Sequence, residues 1–387
     1  MNNFIDHNPI LDHLIGPGFL LTLGIVVWRV RLSGQRHRAF RRARLIAAGK
    51  PVPADPRPKP WSHGLIGAVA LPTLYLLIYR GLSALPPFYL DHKGGAILMS
   101  FSFLFLGPFI AGIITVAQGS DKEPWTIGEC IVNPWIPIAF NLALAIAIAW
   151  EGIICAVLIV PPAMISASLG GLAAGAVQRH LHRRAARNTM YCLAAVPLIL
   201  AMVETRLDQP LQTRTVSSAI LIHAPAPVIW RNIERVRAIA PSELRPSWAN
   251  AIGFPRPIEA TLSFEGVGGV RNASFERGLN FIETVTAWEP GRRIGFTIRA
   301  DTAHIPSTTL DEHVTVGGRF FDVLTGEYLL EPQPNGDTLL RLNSQERLST
   351  DFNLYAALWS DAVMSDMQAT ILHVIRSRCE WACPCEP

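Results

Sequence analysis

With 387 residues the chain is long enough for two or three domains; half of its residues are hydrophobic and only 17% are charged. A typical soluble chain carries about 25% charged residues, so the composition argues against a protein that is soluble over its whole length. The net charge of +4 does not indicate nucleic-acid binding, because much of the positive charge sits in two short segments beside apolar runs. We therefore expect a membrane region and no nucleic-acid partner.

The apolar residues are concentrated before Asp208, and we interpret them as about six membrane spans. The runs cover 14–30, 64–79, 95–117, the long stretch 137–177 and 190–203. The long stretch is too long for one span, so Pro161 and Pro162 are predicted to form a tight turn that divides it. Small residues around 170–176 are expected to allow close helix packing. Glu151 is placed near the end of a span, where it reaches water.

Two basic segments suggest the topology. Residues 31–59 carry nine Lys and Arg against one acid, Asp55, and residues 179–187 carry four more arginines. Both are predicted to be cytoplasmic loops by the positive-inside rule. Six crossings from an outer N-terminus then leave the C-terminal domain outside, which is the periplasm for a bacterial inner-membrane protein. If 137–177 holds one crossing and a re-entrant piece, the domain lies on the other side.

The segment after Asp208 shows soluble-domain patterning. Its order is a strand, two short helices, about six strands and a long helix, and Pro334–Asp337 is predicted to be a hairpin turn. The final helix has apolar residues at three- and four-residue spacing, which predicts that it covers a curved antiparallel sheet and encloses space for a ligand. These apolar residues are Phe352, Tyr355, Trp359, Ala362, Val363, Met367, Ile371 and Val374; Asp351, Ser360, Asp361, Ser365 and Gln368 are placed mostly elsewhere.

Three stretches carry a family resemblance: 224–230 (APAPVIW), 266–271 (GVGGVR) and 281–288 (FIETVTAW), followed by the aromatic final helix. Together they resemble the START-like, or polyketide cyclase/dehydrase (SRPBCC), superfamily with its helix-grip fold. The resemblance implies an α+β domain whose curved sheet wraps a long C-terminal helix. It also implies that the domain binds lipids, sterols, polyketides or aromatic compounds, or acts as a cyclase. The whole layout resembles bacterial membrane proteins that carry such a domain after several spans.

Arg271 is the most informative polar residue of this domain. A two-residue turn at Gly278–Leu279 would place Arg271 opposite Thr286 and point Glu283 to the other face, so no Arg271–Glu283 pair is expected in that register. An arginine on a cavity wall would orient a carboxylate, phosphate or carbonyl of a ligand. The alternative is an arginine paired with another acid or placed at the sheet edge. The predicted ligand-binding residues are Arg271, Phe275, Thr286, Trp288, Tyr328, Tyr355, Trp359 and Val363.

The predicted boundaries are 1–208 for the helical membrane bundle, 209–378 for the helix-grip domain and 379–387 for a cysteine-containing tail. Cys379, Cys383 and Cys385 lack a fourth metal ligand in the tail, which leaves a tail disulfide or an unstructured end. We expect no metal and no cofactor. The predicted function is membrane-anchored binding of a hydrophobic small molecule or lipid. The alternatives are a cyclase or aromatase, with Arg271, Glu283, Tyr328 and Tyr355 as available groups, and a non-catalytic interaction module of the envelope.

Overall fold

The computed structural model describes residues 9–50, 61–82, 99–119, 125–148, 153–180, 193–204, 206–301 and 316–381. The chain separates into two compact units, an N-terminal one (Met1–Glu151 and Ala156–Asp208) and a C-terminal one (Gly152–Cys155 and Gln209–Pro387). The first consists of helices, and the second combines a sheet with helices.

The N-terminal unit contains helices α1 (Pro9–Ala47), α2 (Trp61–Leu82), α3 (Gly107–Gly119), α4 (Ile127–Val132), α5 (Trp135–Ala147), α6 (Ile153–His180) and α7 (Val196–Glu204). Close packing follows from small residues: a Cβ added at Gly170 would lie 1.9 Å from the Phe109 carbonyl oxygen, and one at Gly112 would lie 2.0 Å from that of Ala167. Helices α3 and α6 therefore approach each other backbone to backbone, as the small-residue pattern predicted.

Two helical stretches are long and apolar enough to span a membrane, Ile127–Ala147 and Ile154–Arg179. Three shorter stretches are apolar as well, Ala68–Gly81, Ser102–Gln118 and Leu193–Glu204. The count of six spans and the side on which the C-terminal unit lies stay predictions.

The first basic segment is helical as far as Ala47, where α1 ends, and not a loop as predicted; its residues 51–59 lie outside the described residues. Its arginines find polar partners on the following helices. Arg38 donates two hydrogen bonds, of 2.7 and 3.0 Å, to the Glu129 carboxylate, and Arg31 Nε donates one of 3.0 Å to Asn133. The carboxylate of Glu129 also closes the capping box of α4 with Thr126. Arg31 and Arg38 of this basic segment therefore bind polar groups on or beside α4.

The predicted turn at Pro161 and Pro162 is also wrong, because both prolines lie inside α6. A proline removes one helical hydrogen bond, but a helix packed along its length continues through it. Ala163 and Ala167 follow the prolines and are buried against Ala111, which supplies that packing. Helix α5 ends at Ala147 and α6 begins at Ile153, and Glu151 lies outside the described residues.

The C-terminal unit is built on one curled, seven-stranded antiparallel sheet with the order β1-β7-β6-β5-β4-β3-β2. Helices α8 (Ala226–Glu234) and α9 (Trp248–Ala251) lie between the first two strands along the chain, and α10 (Asn353–Trp381) follows the last one. The strands are β1 (Gln212–Ile222), β2 (Pro257–Leu262), β3 (Val270–Phe275), β4 (Asn280–Glu289), β5 (Arg293–Asp301), β6 (Phe321–Pro332) and β7 (Thr338–Leu348). This arrangement fits the predicted helix-grip fold.

Helix α10 covers one face of the sheet, which we call the inner face. Leu372 and Ile375 of α10 join the main core with Ile222, Phe296 and Leu340 from the strands. On another side of the helix, Met367 packs against a second cluster formed by Val236, Ala260, Ala273, Phe275 and Leu279. The sheet therefore grips α10 on two sides.

The predicted apolar stripe describes only part of α10. Ala362 is exposed, whereas Gln368, which was expected to lie elsewhere, is buried and donates hydrogen bonds of 3.1 Å to the Val216 carbonyl and 2.9 Å to Ser344 Oγ. The helix also continues beyond the predicted start of the tail. Cys379 is therefore a fully buried core residue of α10, while Cys383 and Cys385 lie outside the described residues.

Candidate functional site

A buried ion pair lies on the inner face, where β3 and β4 run side by side. Arg271 and Glu283 are direct cross-strand partners, and Arg271 Nη1 donates to a Glu283 carboxylate oxygen. Only 4% of Arg271 and 8% of Glu283 are exposed. Two opposite charges this deeply buried stabilise each other, since neither could be held there alone at low cost.

Aromatic side chains surround the arginine. The Arg271 guanidinium lies 5.3 Å from the centre of the Phe296 ring, a cation–π contact, and it also contacts the Tyr328 hydroxyl. Burial by itself would lower the pKa of Arg271, but the Glu283 carboxylate and Tyr328 raise it above its ordinary value. Burial raises the pKa of Tyr328, so its phenol keeps its proton. The cluster therefore consists of a permanent cation, its carboxylate and a neutral hydroxyl.

One nitrogen atom of the Arg271 side chain has an unsatisfied hydrogen-bonding requirement. Arg271 Nε is buried and finds no hydrogen-bond partner among the described residues. A buried N–H without an acceptor is costly, so such an atom points to a missing acceptor.

The sequence-based prediction that excluded the Arg271–Glu283 pair is wrong, and the reason is the turn. Residues 276–279 connect β3 to β4 through a 3-10 turn in which Arg277 and Gly278 both have positive φ, 60° and 80°. Ser274 therefore pairs with Asn280. The two-residue turn would have paired Ser274 with Glu283, three residues farther along β4. An odd shift turns every β4 side chain before the next irregularity to the opposite face.

The corrected register relocates the predicted residues of β4. Thr286 is exposed and not opposite Arg271, which pairs with Glu283 instead. Trp288 still contacts the core, but for a different reason: a bulge between Val285 and Ala287 turns the strand back. The Trp288 ring meets Trp230 edge-on at 5.1 Å.

The remaining predicted residues lie at or near the interior. Phe275 is buried on the inner face, edge-on to Phe281 at 5.3 Å. Tyr355, Trp359 and Val363 of α10 are half-buried, and the Trp359 ring lies 6.3 Å from that of Trp248.

A second polar cluster was missed, on β7 and α10. Glu346 is fully buried, and its Oε1 accepts a hydrogen bond from Ser360 Oγ. Ser344 lies two residues earlier on the same face and binds Gln368. The signal is present in the sequence, because three leucines alternate with polar residues along β7. Strand alternation places the leucines and the two polar residues that share their face inside: Leu340, Leu342, Ser344, Glu346 and Leu348.

Two oxygen atoms of this second cluster also have unsatisfied hydrogen-bonding requirements. Glu346 Oε2 and Gln368 Oε1 are buried without a hydrogen-bond partner among the described residues. Burial raises the pKa of Glu346, with a further contribution from Asp361, while the hydrogen bond from Ser360 and the charge of Arg214 oppose it. Burial thus favours the uncharged acid.

The middle of the inner face is lined by a small residue. Gly326 of β6 lies between Phe296 of β5 and Ser344 of β7 in the cross-strand register. A Cβ added there would lie 3.1 Å from Ile298 Cδ1, an apolar side chain end. A larger residue at this position would therefore project among the interior side chains. No group of three His, Cys, Asp or Glu side chains that could hold a metal ion occurs within the described ranges.

Comparisons with known proteins give structural matches only. No family model matches the sequence, and no curated protein matches it. Among solved structures, a START superfamily protein from Mycobacterium smegmatis is 12% identical, covers 44% of this chain and 99% of its own, and has a TM-score of 0.29. The Zhui aromatase/cyclase from Streptomyces sp. R1128 is 14% identical, with coverages of 45% and 99% and a TM-score of 0.29. A norcoclaurine synthase from Thalictrum flavum is 11% identical, with coverages of 43% and 94% and a TM-score of 0.27.

Proposed function

We propose that the C-terminal unit binds a hydrophobic small molecule or lipid between the inner face of its sheet and helix α10. We further propose that the N-terminal helices, about six of them spanning, anchor this unit to a membrane with the binding domain on the periplasmic side. The domain boundary would lie near Asp208, where the helical unit ends.

The observation that carries the proposal is the unused hydrogen-bonding capacity of Arg271. Its Nη1 is held by Glu283, but its buried Nε has no acceptor among the described residues. A bound ligand with a carbonyl or carboxylate oxygen would supply that acceptor beside the Phe296 ring, and its apolar part would bury surface worth about 25 cal/mol per Å².

Membrane anchoring is supported by two features. The long apolar stretches Ile127–Ala147 and Ile154–Arg179 have the length of a span. In the C-terminal unit, Leu354 and Leu358 in the first turns of α10 are 87% and 66% exposed. Asn353, the residue before Leu354, donates a hydrogen bond of 2.6 Å to the Pro210 carbonyl oxygen. Exposed leucines beside the point where the chain enters the unit suit a surface close to lipid.

The test is ligand displacement with the full-length protein in detergent. Wild type should bind 1-anilinonaphthalene-8-sulfonate, and dodecanoic acid should compete for the same site. Gly326→Leu should reduce both affinities at least tenfold, because the leucine would occupy the centre of the inner face. Thr325→Leu adds the same side chain one residue earlier, on the other face of β6, and should bind like wild type.

Equal binding by the two leucine variants and wild type would contradict interior binding. Absence of any dye or acid binding to folded wild type would favour a module with a filled core. Mass spectrometry of organic extracts from the purified protein adds the chemical identity of a retained ligand.

An enzyme is the second candidate, and one observation favours it. Tyr328 and Glu346 are buried acidic groups on the inner face, and burial raises the pKa of each, so either group could exchange a proton with a substrate bound beside it. Incubation of the purified protein with its retained ligand would distinguish the two functions. A ligand that is chemically altered indicates an enzyme, and an unaltered one indicates binding alone.

A further inference from the structure

The polar cluster around Glu346 is separate from the one around Arg271 and contains unsatisfied hydrogen-bond acceptors of its own. Glu346 and Ser344 project from the inner face of β7, and Ser360 and Gln368 reach them from α10. Each of the two buried acceptor oxygens, Glu346 Oε2 and Gln368 Oε1, lacks a donor among the described residues. Ser344, the partner of Gln368, lies two residues before Glu346 on the same face of β7, so both atoms belong to one stretch of the inner face, and each calls for a donor.

The position of this cluster relative to the ion pair follows from the strand register. Glu283 of β4 pairs with Ile298 of β5, and Glu346 of β7 pairs with Val323 of β6. Three strand spacings separate β4 from β7, about 14 Å along a flat sheet. Both side chains project from the same inner face, so a ligand that extends along this face for about 14 Å would reach both. A single lipid-sized molecule can contact both.

Burial limits which chemical group of a ligand can donate a hydrogen bond to Glu346 and Gln368. An ammonium group would supply donors, but it would have to be desolvated together with the Glu346 carboxylate. A hydroxyl group donates to a carboxylate and also accepts from a protonated acid, so it matches Glu346 in either state. A methylene group would leave both oxygens without a donor.

We propose that Glu346, with Gln368, forms a second polar subsite that binds a hydroxyl group on the ligand. This inference rests on the proposed function, in which Arg271 binds the ligand's acidic or carbonyl end. The preferred ligand is therefore a hydrophobic molecule with an acceptor at one end and a hydroxyl farther along its apolar body.

The test uses four probes on the full-length protein in detergent: dodecanoic acid and its 6-, 9- and 12-hydroxy derivatives, each displacing 1-anilinonaphthalene-8-sulfonate. For wild type, at least one hydroxy acid should bind about tenfold more tightly than dodecanoic acid, the gain of one well-placed hydrogen bond. Equal or weaker binding of all three hydroxy acids would overturn the subsite without any variant.

The variant Glu346→Met removes the acceptor at similar volume. It should reverse the preference, because the hydroxyl group would then be buried without a partner. Gln345→Met makes a similar change on the outer face of the same strand and should keep the wild-type preference. An unchanged preference in folded Glu346→Met would overturn the role of Glu346.

The two proposals fail in different ways. If dodecanoic acid displaces the dye from wild type but not from Gly326→Leu, and no hydroxy acid is preferred, only the subsite is wrong. If no acid displaces the dye from any folded variant, interior binding fails and the subsite fails with it.

Discussion

Removing the cation of the buried ion pair should strongly destabilise the C-terminal unit. Arg271→Met keeps most of the side-chain volume but leaves the Glu283 carboxylate in the interior without its partner. Breaking a buried pair in this way typically costs about 3–5 kcal/mol of unfolding free energy. Loss of the contact with the Phe296 ring adds about 2 kcal/mol, the magnitude for a desolvated cation–π contact. The change should therefore consume much of the stability of a single domain, which is usually about 5–15 kcal/mol.

The double variant Arg271→Met with Glu283→Leu separates the pair's own contribution from the cost of an unpaired charge. Replacing both partners with apolar groups should restore the unfolding free energy to within about 2 kcal/mol of wild type, since a buried pair gains little over good packing. Arg293→Met is the control, because it breaks the exposed pair in which Arg293 Nε lies 2.6 Å from Glu327, and it should leave the unfolding free energy close to that of wild type.

Hydrogen exchange of peptides from β3 to β7, measured in the full-length protein across a denaturant series, reports the opening free energy of this unit alone. A single variant as stable as wild type would refute the buried pair. A double variant as unstable as the single one would refute the explanation by an unpaired charge.

Three further predictions concern other parts of the molecule. Burial raises the pKa of Glu346 in the folded protein; the negative charge of Asp361 raises it further, and the positive charge of Arg214 opposes the shift. Glu346 therefore stabilises the fold fully below its unfolded-state pKa of about 4.3, and this stabilisation is lost as the pH rises through its folded-state pKa. Glu346→Gln should therefore have a higher melting temperature than wild type at pH 8, and the difference should shrink towards pH 4; a constant difference would contradict this. Trp359→Ala should cost about 2 kcal/mol in the same exchange experiment, below the 3–5 kcal/mol of a fully buried tryptophan, because Trp359 is half-buried; an unchanged opening free energy would mean that it lies outside the packing. An introduced Asn335→Cys should react with a membrane-impermeant thiol reagent in intact cells, and labelling only after lysis would place the domain in the cytoplasm.

Local patterns were sufficient for the elements of the C-terminal unit. Alternating residues predicted the strands, the turn signal at Pro334–Asp337 predicted the β6–β7 hairpin, and three- and four-residue spacing predicted the last helix. These features depend on neighbours close in the chain, which is why the sequence reveals them. The same alternation contains the inward positions of Ser344 and Glu346, because they share a face of β7 with Leu340, Leu342 and Leu348.

The sequence by itself determined that an apolar helical region precedes an α+β unit with a curled sheet and a covering helix. Only the tertiary structure decided which side chains meet inside. The pairing of Arg271 with Glu283 depends on an irregular turn with two positive-φ residues, and the inward return of Trp288 depends on a bulge. Likewise, Pro161 and Pro162 remain within a helix because packing along its length compensates for their missing donors. A turn residue or a bulge changes the facing of a whole strand, and its effect on stability comes from partners distant in the chain.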